Sequence, residues 1–264
     1  MRVYPHHNTV GLISFTVLLA LHIIAGFYDV QSSVYPSPQT MTAAFFQGPA
    51  RLLFPVVVAL ICQPMLSRLI EERYIVSTRT RIDVRRLLTQ NVIHACLKAG
   101  TLFFIFGLTL SCIGYWIAPA LFPDAISPTQ YGLHSSDEIL AESIQTAPLA
   151  GALNLSPLAF VAAISCWTSL TAIAFALATA IASLTINNSL VALIVPFIWF
   201  FGTSTVAQIA GLPEYSFTIT TPYPYGLTNF ELVPAATPMA VTFLMGIAGC
   251  TFIILRARHS GRFS

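Results

Sequence analysis

The stretch TSLTAIAFALATAIASLTINNSLVALIVPFIWF, residues 168–200, decides the fold class of this chain. It contains no Asp, Glu, Lys or Arg, and the charge-free run around it extends from residue 143 to residue 213. A helix of about 20 apolar residues crosses the hydrocarbon core of a bilayer, so this run is too long for one crossing. We interpret it as two helices in a tight hairpin that turns at its polar break, Asn187 and Asn188.

The composition of the whole chain agrees with a membrane location. Of its 264 residues, 56% are hydrophobic and only 8% are charged, whereas a soluble domain has about 25% charged residues. The sequence therefore predicts an all-α membrane protein, a single transmembrane domain over residues 1–264. Six apolar segments are the predicted transmembrane helices, near residues 10–28, 52–67, 99–118, 157–185, 189–210 and 235–255.

The charged residues separate into two groups when the loops are assigned to alternate sides. One side has both termini and the loop 68–98, and it carries every Lys and Arg except Arg51. The other side has the loops 29–50, 119–156 and 211–234. Short loops rich in Lys and Arg stay in the cytoplasm. We therefore predict cytoplasmic N- and C-termini, a cytoplasmic loop over 68–98 and three outer loops.

The cytoplasmic loop has more charge than topology requires. Its core, YIVSTRTRIDVRRLLTQN at residues 74–91, holds four arginines. Arg81, Arg85 and Arg86 have a spacing that places them on one face of a helix. One interpretation is a solvated loop that only sets topology, with some contact to lipid headgroups. The other is a docking element for a cytoplasmic partner.

Two of the outer loops have features of their own. Ser135 and Glu138 have the spacing of a helix capping box, which predicts a short surface helix after Ser135. The loop 211–234 is rich in aromatic residues and proline. We expect this loop to lie at the membrane interface as an aromatic collar.

Small residues recur in the fourth predicted helix. Ala172, Ala176 and Ala180 are spaced four residues apart, and so are Ala174, Ala178 and Ala182. Such spacing lets helices approach closely. We favour packing within the chain as its purpose, with a subunit interface as the alternative.

The sequence lacks the usual marks of catalysis and of metal binding. It has no H-E-x-x-H motif, no G-x-S-x-G motif and no P-loop. Its five cysteines form no C-x-x-C pair and fall in apolar runs, as buried structural cysteines do. His22, His94 and Lys98 are the only ionisable candidates near a predicted helix interior, and we expect neighbouring groups to satisfy His22. We predict no catalytic residue, no metal site and no nucleic-acid binding.

In topology and in its basic loop, the chain resembles the type-2 ABC export permeases. The likeness is to short stand-alone subunits with six helices, an arginine-containing stretch after helix two and an apolar hairpin of helices four and five. The stretch YIVSTRTRIDVRRLLTQNVIHACLKAG at residues 74–100 is similar to that arginine-containing stretch. Residues 212–234 occupy the place of the family's re-entrant outer segment.

The resemblance implies an exporter-type permease fold and a division of labour. Two permeases, identical or paralogous, would form the pathway in a bacterial plasma membrane, and cytoplasmic ATPase subunits would bind ATP and Mg²⁺. The chain itself would need no cofactor. The residues that would contact the ATPase are those flanking and within the basic stretch: Glu71, Glu72, Arg73, Arg79, Arg81, Arg85 and Arg86.

Two other classes of function compete with an exporter subunit. One is a self-contained secondary carrier or channel, which is disfavoured because the predicted helices have no central charge and no inverted repeat is visible. The other is a membrane scaffold or sensor subunit that transports nothing. The identity of the cargo is not encoded in a recognisable motif. A largely uncharged pathway suits apolar or amphipathic molecules such as peptides, antibiotics or lipids.

Overall fold

Six long apolar helices make up most of the part of the chain that the structure describes. The computed structural model describes residues 9–71, 84–186, 188–225 and 231–256, and within them no β-strand forms. Six helices are long and apolar enough to cross a membrane, which confirms the predicted all-α membrane protein. They are α1 (Thr9–Ser32), α3 (Phe54–Glu71), α4 (Val84–Cys112), α6 (Pro157–Thr185), α7 (Ser189–Ile209) and α9 (Leu232–Arg256). Shorter helices between them are α2 (Pro38–Gln47), α5 (Ser136–Thr146) and α8 (Phe217–Thr220).

Helix α6 is the centre of the bundle. It packs against α3, α4, α7 and α9. Its small side chains permit this, since helices in a membrane approach most closely where alanine, serine and threonine line the contact. The structure places most of the predicted alanine stripe in this intrachain packing, with five members buried: Ala172, Ala174, Ala176, Ala180 and Ala182.

The seam between α4 and α6 is closed by hydrogen bonds and by a glycine. Thr168 Oγ1 donates to the carbonyl of Phe103 at 3.0 Å, and Ser169 Oγ donates to the carbonyl of Gly100 at 2.9 Å. A β-carbon added at Gly107 would lie 2.3 Å from Thr168 Oγ1. Only glycine allows the two backbones to come this close.

The core between the helices is aromatic. The rings of Phe54 and Phe103 lie 4.4 Å apart between centroids, and Phe15 and Phe106 extend the same cluster. Phe175 of α6 contacts Phe54 from the other side at 6.3 Å. Tilted and edge-on ring pairs of this kind add to the stabilisation from buried area.

Helix α2 lies in the segment that the sequence predicts as an outer loop, residues 29–50. It is packed into the protein rather than open to solvent, and every residue from Thr40 to Phe46 is buried. Phe45 approaches α1 so closely that a β-carbon at Gly26 would lie 2.3 Å from its ring. Helix α2 also packs against the π-helical turn Ile113–Ile117, in which a β-carbon at Gly114 would lie 2.7 Å from the Cα of Thr42.

The predicted cytoplasmic loop over 68–98 is helical at both ends. Helix α3 runs to Glu71, and α4 begins at Val84 rather than near residue 99. The reason is an amphipathic extension of α4, in which Leu88 and Ala95 are buried on one side of the helix. At its other end α4 continues through the π-helical turn into Ala118–Leu121, so that it forms the longest span.

The turn between α6 and α7 confirms the predicted hairpin. Helix α6 ends at Thr185 and α7 begins at Ser189. The side chain of Asn188 caps α7 by accepting hydrogen bonds from the backbone N–H groups of Leu190 and Val191, at 3.0 Å and 3.3 Å. Asn187 lies outside the described residues.

The predicted outer loop 119–156 is folded and joined to the segment after α1. Tyr35 forms a β-bridge with Ile126, in which its N–H donates to the carbonyl of Ala125 and its carbonyl accepts from Ser127. The predicted capping box is confirmed, since Ser135 Oγ accepts from the N–H of Glu138 and Glu138 Oε2 accepts from the N–H of Ser135. Helix α5 follows it.

We call residues 213–225 the outer insertion. This segment contacts both α6 and α7. Phe217 is buried against Phe175 and Phe200, at centroid distances of 5.1 Å and 6.0 Å. Tyr223 is buried against Phe46 at 5.4 Å. The predicted interfacial collar is therefore wrong for these two rings, because they fill the aromatic core instead of lying among lipid headgroups.

Candidate functional site

The described residues include three of the seven predicted coupling residues. Glu71 is the last residue of α3, and Arg85 and Arg86 lie in the first turn of α4. The other four lie outside the described residues: Glu72, Arg73, Arg79 and Arg81. The last turn of α3 and the first turn of α4 lie at the same end of the bundle, since Leu66 and Leu88 belong to one cluster. We call this end of the bundle the arginine end.

Arg85 contacts the protein itself. Its Nη2 donates a hydrogen bond to the carbonyl oxygen of Leu255, at 2.9 Å. The last carbonyls of a helix have no intrahelical partner and carry a partial negative charge. The guanidinium of Arg85 therefore caps the end of α9 and joins the first turn of α4 to the last turn of α9.

Two other arginines at this end point elsewhere. Arg86 is exposed, so its guanidinium is accessible to a binding partner. Arg256 lies over the ring of Phe252, 5.3 Å from its centroid. A guanidinium over an aromatic face is held by a cation–π interaction. Of the predicted coupling residues that the structure describes with side chains, Arg86 is the one whose position suits docking best.

A separate hydrophobic cluster lies beneath the arginine end. It draws on α3, α4, α6 and α9, and its buried members are Leu66, Leu87, Leu88, Val92, Leu177, Ala180, Leu184 and Cys250. Close-packed interiors have low compressibility and transmit displacement. The cluster therefore connects four of the six described spans through direct contact.

The core holds few groups that could carry a charge. Among the residues whose side chains the structure describes, no Asp, Glu, Lys or Arg is buried, and His22 is the only buried imidazole. Charged groups inside a membrane protein are the usual mark of proton relays and ion pathways. This core instead consists of packed aromatic rings, hydroxyls and small side chains.

His22 is bonded to its own helix through one ring nitrogen, whereas its Nε2 is buried without a hydrogen-bond partner among the described residues, so the prediction that a neighbour satisfies it holds only in part. Its Nδ1 lies 3.0 Å from the carbonyl oxygen of Leu18, and since a carbonyl only accepts, this nitrogen is the one that carries the proton. Its ring meets Phe106 edge-on at 5.1 Å. His94, the other predicted candidate, is exposed on α4.

Tyrosine hydroxyls form hydrogen bonds in the predicted outer loops. Tyr35 donates to Asp29 Oδ2 at 2.7 Å, and Tyr131 donates to the carbonyl of Val34 at 2.6 Å. Burial, together with the neighbouring carboxylate of Asp29, raises the pKa of Tyr35, so its hydroxyl stays protonated and remains a donor. The Tyr35 bond lies within the first predicted outer loop, whereas the Tyr131 bond joins the first predicted outer loop to the second.

Comparisons with protein families, with curated proteins and with solved structures found no match. In the part of the chain that the structure describes, no three His, Cys, Asp or Glu side chains lie together as a metal ion would need.

Sequence reasoning missed Leu255 as the partner of Arg85 and missed the surface around them. The two residues are 170 positions apart, and the acceptor is a backbone carbonyl, which any residue type supplies. One signal was available: Arg85, Thr89, Val92 and Ile93 follow the spacing of a single helix face. That spacing indicates that α4 presents one surface from Arg85 inward, although it does not identify α9 as the neighbour.

Proposed function

We propose that the chain is the transmembrane permease subunit of an ATP-driven exporter in a bacterial plasma membrane. It would work with cytoplasmic ABC ATPase subunits and with a second copy or a paralogue of itself. The observation that carries the proposal is the hydrophobic cluster at the arginine end. The cluster joins α3, α4, α6 and α9. It lies where α3 ends and α4 begins, and the basic segment, residues 72–83, connects these two helices in the chain.

In this proposal, the ATPase would bind the arginine end, and its conformational change would move this end of the permease. ATP hydrolysis in the separate ATPase supplies the free energy, and this chain contributes no catalytic residue. Arginine forks such as that of Arg86 would pair with carboxylates on the ATPase surface. A displacement of residues 72–83 would then move the ends of α3 and α4 together, because the cluster beneath them is close-packed.

The filled interior supports a pathway between two chains rather than through one. The aromatic core around Phe54, Phe103 and Phe175 occupies the space between the spans. Helices α1, α7 and α9 remain largely uncovered. Only 28%, 22% and 17% of the residues in their most apolar segments are buried. A second copy would cover part of these faces and form a pathway lined by apolar and hydroxyl side chains, which suits apolar or amphipathic cargo.

Recovery of an ATPase with the purified permease tests this proposal. Arg81→Lys combined with Arg86→Lys keeps the positive charge but removes the planar fork, which matters where a carboxylate is bound through two hydrogen bonds. Losing one hydrogen bond to a charged group costs about 1.5–3 kcal/mol, so we expect clearly less ATPase per permease and less permease-stimulated ATP hydrolysis. The matched control is Arg51→Lys, in the outer turn Pro49–Leu53.

The alternatives make different predictions. A self-contained carrier or channel would move cargo in vesicles that contain this chain and no ATPase. A scaffold or sensor would bind partners and move nothing. Unchanged ATPase recovery and unchanged hydrolysis in the double variant would contradict the proposed role of the arginines. An ATPase gene beside the gene for this chain would favour the exporter over both alternatives.

A further inference from the structure

A groove lies along the C-terminal half of α1. Its volume is about 910 Å³, within the range of about 300–1,000 Å³ in which proteins bind drug-sized ligands. Residues of α1 line it together with the end of α2 and the turn Pro49–Leu53 that follows α2. The α1 residues follow the spacing of one helix face, and we call this surface the α1 groove. Its lining includes Leu21, Ile24, Ala25, Asp29, Gln47 and Leu53.

Most of the α1 groove is apolar and open. Leu21, Ile24 and Leu53 are 40%, 66% and 45% exposed. Ala25 and Gly48 meet in the lining, where a β-carbon added at Gly48 would lie 3.1 Å from the Cβ of Ala25. Neither residue has a side chain large enough to fill the space. The groove therefore offers an extended apolar surface to the hydrocarbon body of a ligand.

One end of the α1 groove carries a carboxylate that is held in position. Asp29 Oδ2 accepts a hydrogen bond from the hydroxyl of Tyr35 at 2.7 Å. Tyr35 is itself fixed by its β-bridge with Ile126. No described residue donates a hydrogen bond to Asp29 Oδ1. This oxygen can therefore accept a hydrogen bond from a ligand without disturbing the bond to Tyr35.

The ends of two helices add negative potential at the same place. Helix α1 ends at Ser32, just after Asp29, and α2 ends at Gln47 in the lining. The C-terminal end of a helix carries a partial negative charge, which Lys or Arg in the last turn commonly offsets. Neither α1 nor α2 has a basic residue in its last turn. Arg51 belongs to the turn after α2, but it is not among the described lining residues.

We propose that the α1 groove binds an amphipathic organic cation. The ammonium of the ligand donates to Asp29 Oδ1, and its apolar body lies along Leu21, Ile24 and Leu53. A hydrogen bond between an ammonium and a carboxylate is charge-assisted and therefore stronger than a neutral one. A phospholipid suits the groove less well, because its phosphate would meet Asp29 and two helix C-termini with no Lys or Arg among the described lining residues.

The inference does not depend on the proposed exporter function. It needs only α1, α2 and the turn between α2 and α3, and it does not require that the ligand be transported. Its test uses the purified chain without any ATPase. Failure of ligand binding would therefore leave the exporter proposal standing, and failure of ATPase recovery would leave this site standing.

Fluorescence titration with dansylcadaverine tests the site. This probe joins an apolar fluorophore to a primary ammonium, and its N-acetyl derivative has the same body without the charge. The purified chain is held in phosphatidylcholine nanodiscs, and empty nanodiscs give the background. We expect saturable binding of the amine, with an affinity on the order of tenfold higher than that of the acetylated probe, the factor expected for a hydrogen bond to a charged group.

Removal of the carboxylate should abolish this preference. Asp29→Asn keeps an acceptor for Tyr35 but removes the negative charge, so it should weaken amine binding on the order of tenfold and leave the acetylated probe unaffected. Asp137→Asn, outside the lining, makes the same change on α5 and should bind both probes as the wild type does. An equal effect of the two variants would overturn the site, since it would show a diffuse effect of charge.

A second pair of variants adds a competing charge and keeps Asp29. Gln47→Lys places an ammonium in the groove and should weaken binding of the amine. Gln31→Lys places one outside the described lining, on the exposed last turn of α1. Both changes put a basic residue in the last turn of a helix, where it is favourable for the fold. We expect loss of the amine only for Gln47→Lys, and equal loss in both variants would contradict the site.

The body and the class of the ligand are tested by competition. Octylamine should displace the probe at concentrations at which ethylamine, which lacks an apolar body, does not. Equal affinity for dansylcadaverine and its acetylated derivative would overturn the proposal. Loss of the saturable site when phosphatidylethanolamine replaces phosphatidylcholine would assign the groove to a lipid headgroup and overturn it as well.

Discussion

The indole nitrogen of Trp167 donates a hydrogen bond to the carbonyl oxygen of Thr220 across 2.9 Å, and both residues are buried. The bond joins the central helix α6 to the outer insertion. Trp167→Phe would remove the donor, keep an aromatic ring in place and leave the carbonyl without this bond. Since an unsatisfied buried acceptor is costly, we expect the free energy of unfolding to fall by about 1–3 kcal/mol.

The unfolding temperature in detergent measures this effect. Cys62 and Cys250 are buried, so a thiol-reactive fluorophore reports unfolding as it reaches them. Trp116→Phe serves as the control, because Trp116 is 41% exposed. An unfolding temperature for Trp167→Phe equal to that of the control would mean that the bond does not hold the outer insertion in place.

The close approach of α4 and α6 predicts that alanine substitutions at two glycines differ strongly in their effect on stability. In Gly107→Ala the new methyl group would meet Thr168 Oγ1 at 2.3 Å and the Cα of Ser165 at 2.9 Å. Backbone atoms cannot yield as a flexible side chain does, so we expect a loss of at least about 1–3 kcal/mol. Gly202→Ala, on α7, adds the same methyl group where nothing lies within 4 Å.

Thermal unfolding of the two alanine variants compares them directly. Gly202→Ala should be as stable as the wild type or more stable, because alanine favours a helix by about 1 kcal/mol over glycine. If Gly107→Ala unfolded at the same temperature as Gly202→Ala, the tight seam between α4 and α6 would be contradicted.

The distribution of charge predicts which loops share a side of the membrane. Ser77 lies in the basic segment, and Ser136 is the exposed first residue of α5. Single cysteines at these positions, with the five native cysteines replaced, should react with an impermeant thiol reagent from opposite sides. The basic segment should react from the cytoplasm, since Lys and Arg are retained there. Reaction of both cysteines from one side would refute the predicted topology.

The start of α5 should depend on pH through Glu138. Its Oε2 accepts hydrogen bonds from the N–H groups of His134 and Ser135, at 2.7 Å and 3.2 Å, and these lower the pKa of Glu138. A carboxyl whose pKa is lowered by folding stabilises the fold above its unfolded pKa. That contribution is lost as the pH falls through the folded value. The first turn of α5 should therefore open more readily in acid.

Amide hydrogen exchange near Glu138, corrected for the intrinsic effect of pH, measures this opening. Glu138→Gln removes the titrating group, so its first turn should show the same protection on both sides of the transition. Asp137→Asn, in the same turn, should show the same pH dependence of amide exchange as the wild type. Persistence of the pH dependence in Glu138→Gln would assign it to another group.

Local patterns predicted those parts of the fold that local chemistry determines. Length and apolar content were sufficient for the six spans, because a bilayer has a fixed thickness. The spacing of Ser135 and Glu138 predicted the cap of α5, and the asparagine pair predicted the turn after α6. In each case the groups that make the bond lie within a few residues of each other.

Contacts between distant segments could not be predicted in the same way. The extension of α4 back to Val84 depends on α3, α6 and α9, which cover its apolar side. Helix α2 is buried because Gly26 and Gly114 leave room for it on two neighbouring elements. At the candidate site, the sequence located the basic segment, but the capping of α9 by Arg85 required a backbone carbonyl that has no signature in the sequence.

The central position of α6 has a consequence for the order of biogenesis. It is the fourth span to leave the ribosome, so α3 and α4 reach the bilayer before the helix that they pack against exists. Until then the carbonyls of Gly100 and Phe103 lack the hydroxyl donors of α6, and the notch at Gly107 is empty. A nascent chain shorter than about 157 residues thus contains three spans but lacks the central helix α6. We therefore expect α3 and α4 to reach their final packing only after α6 has been synthesised.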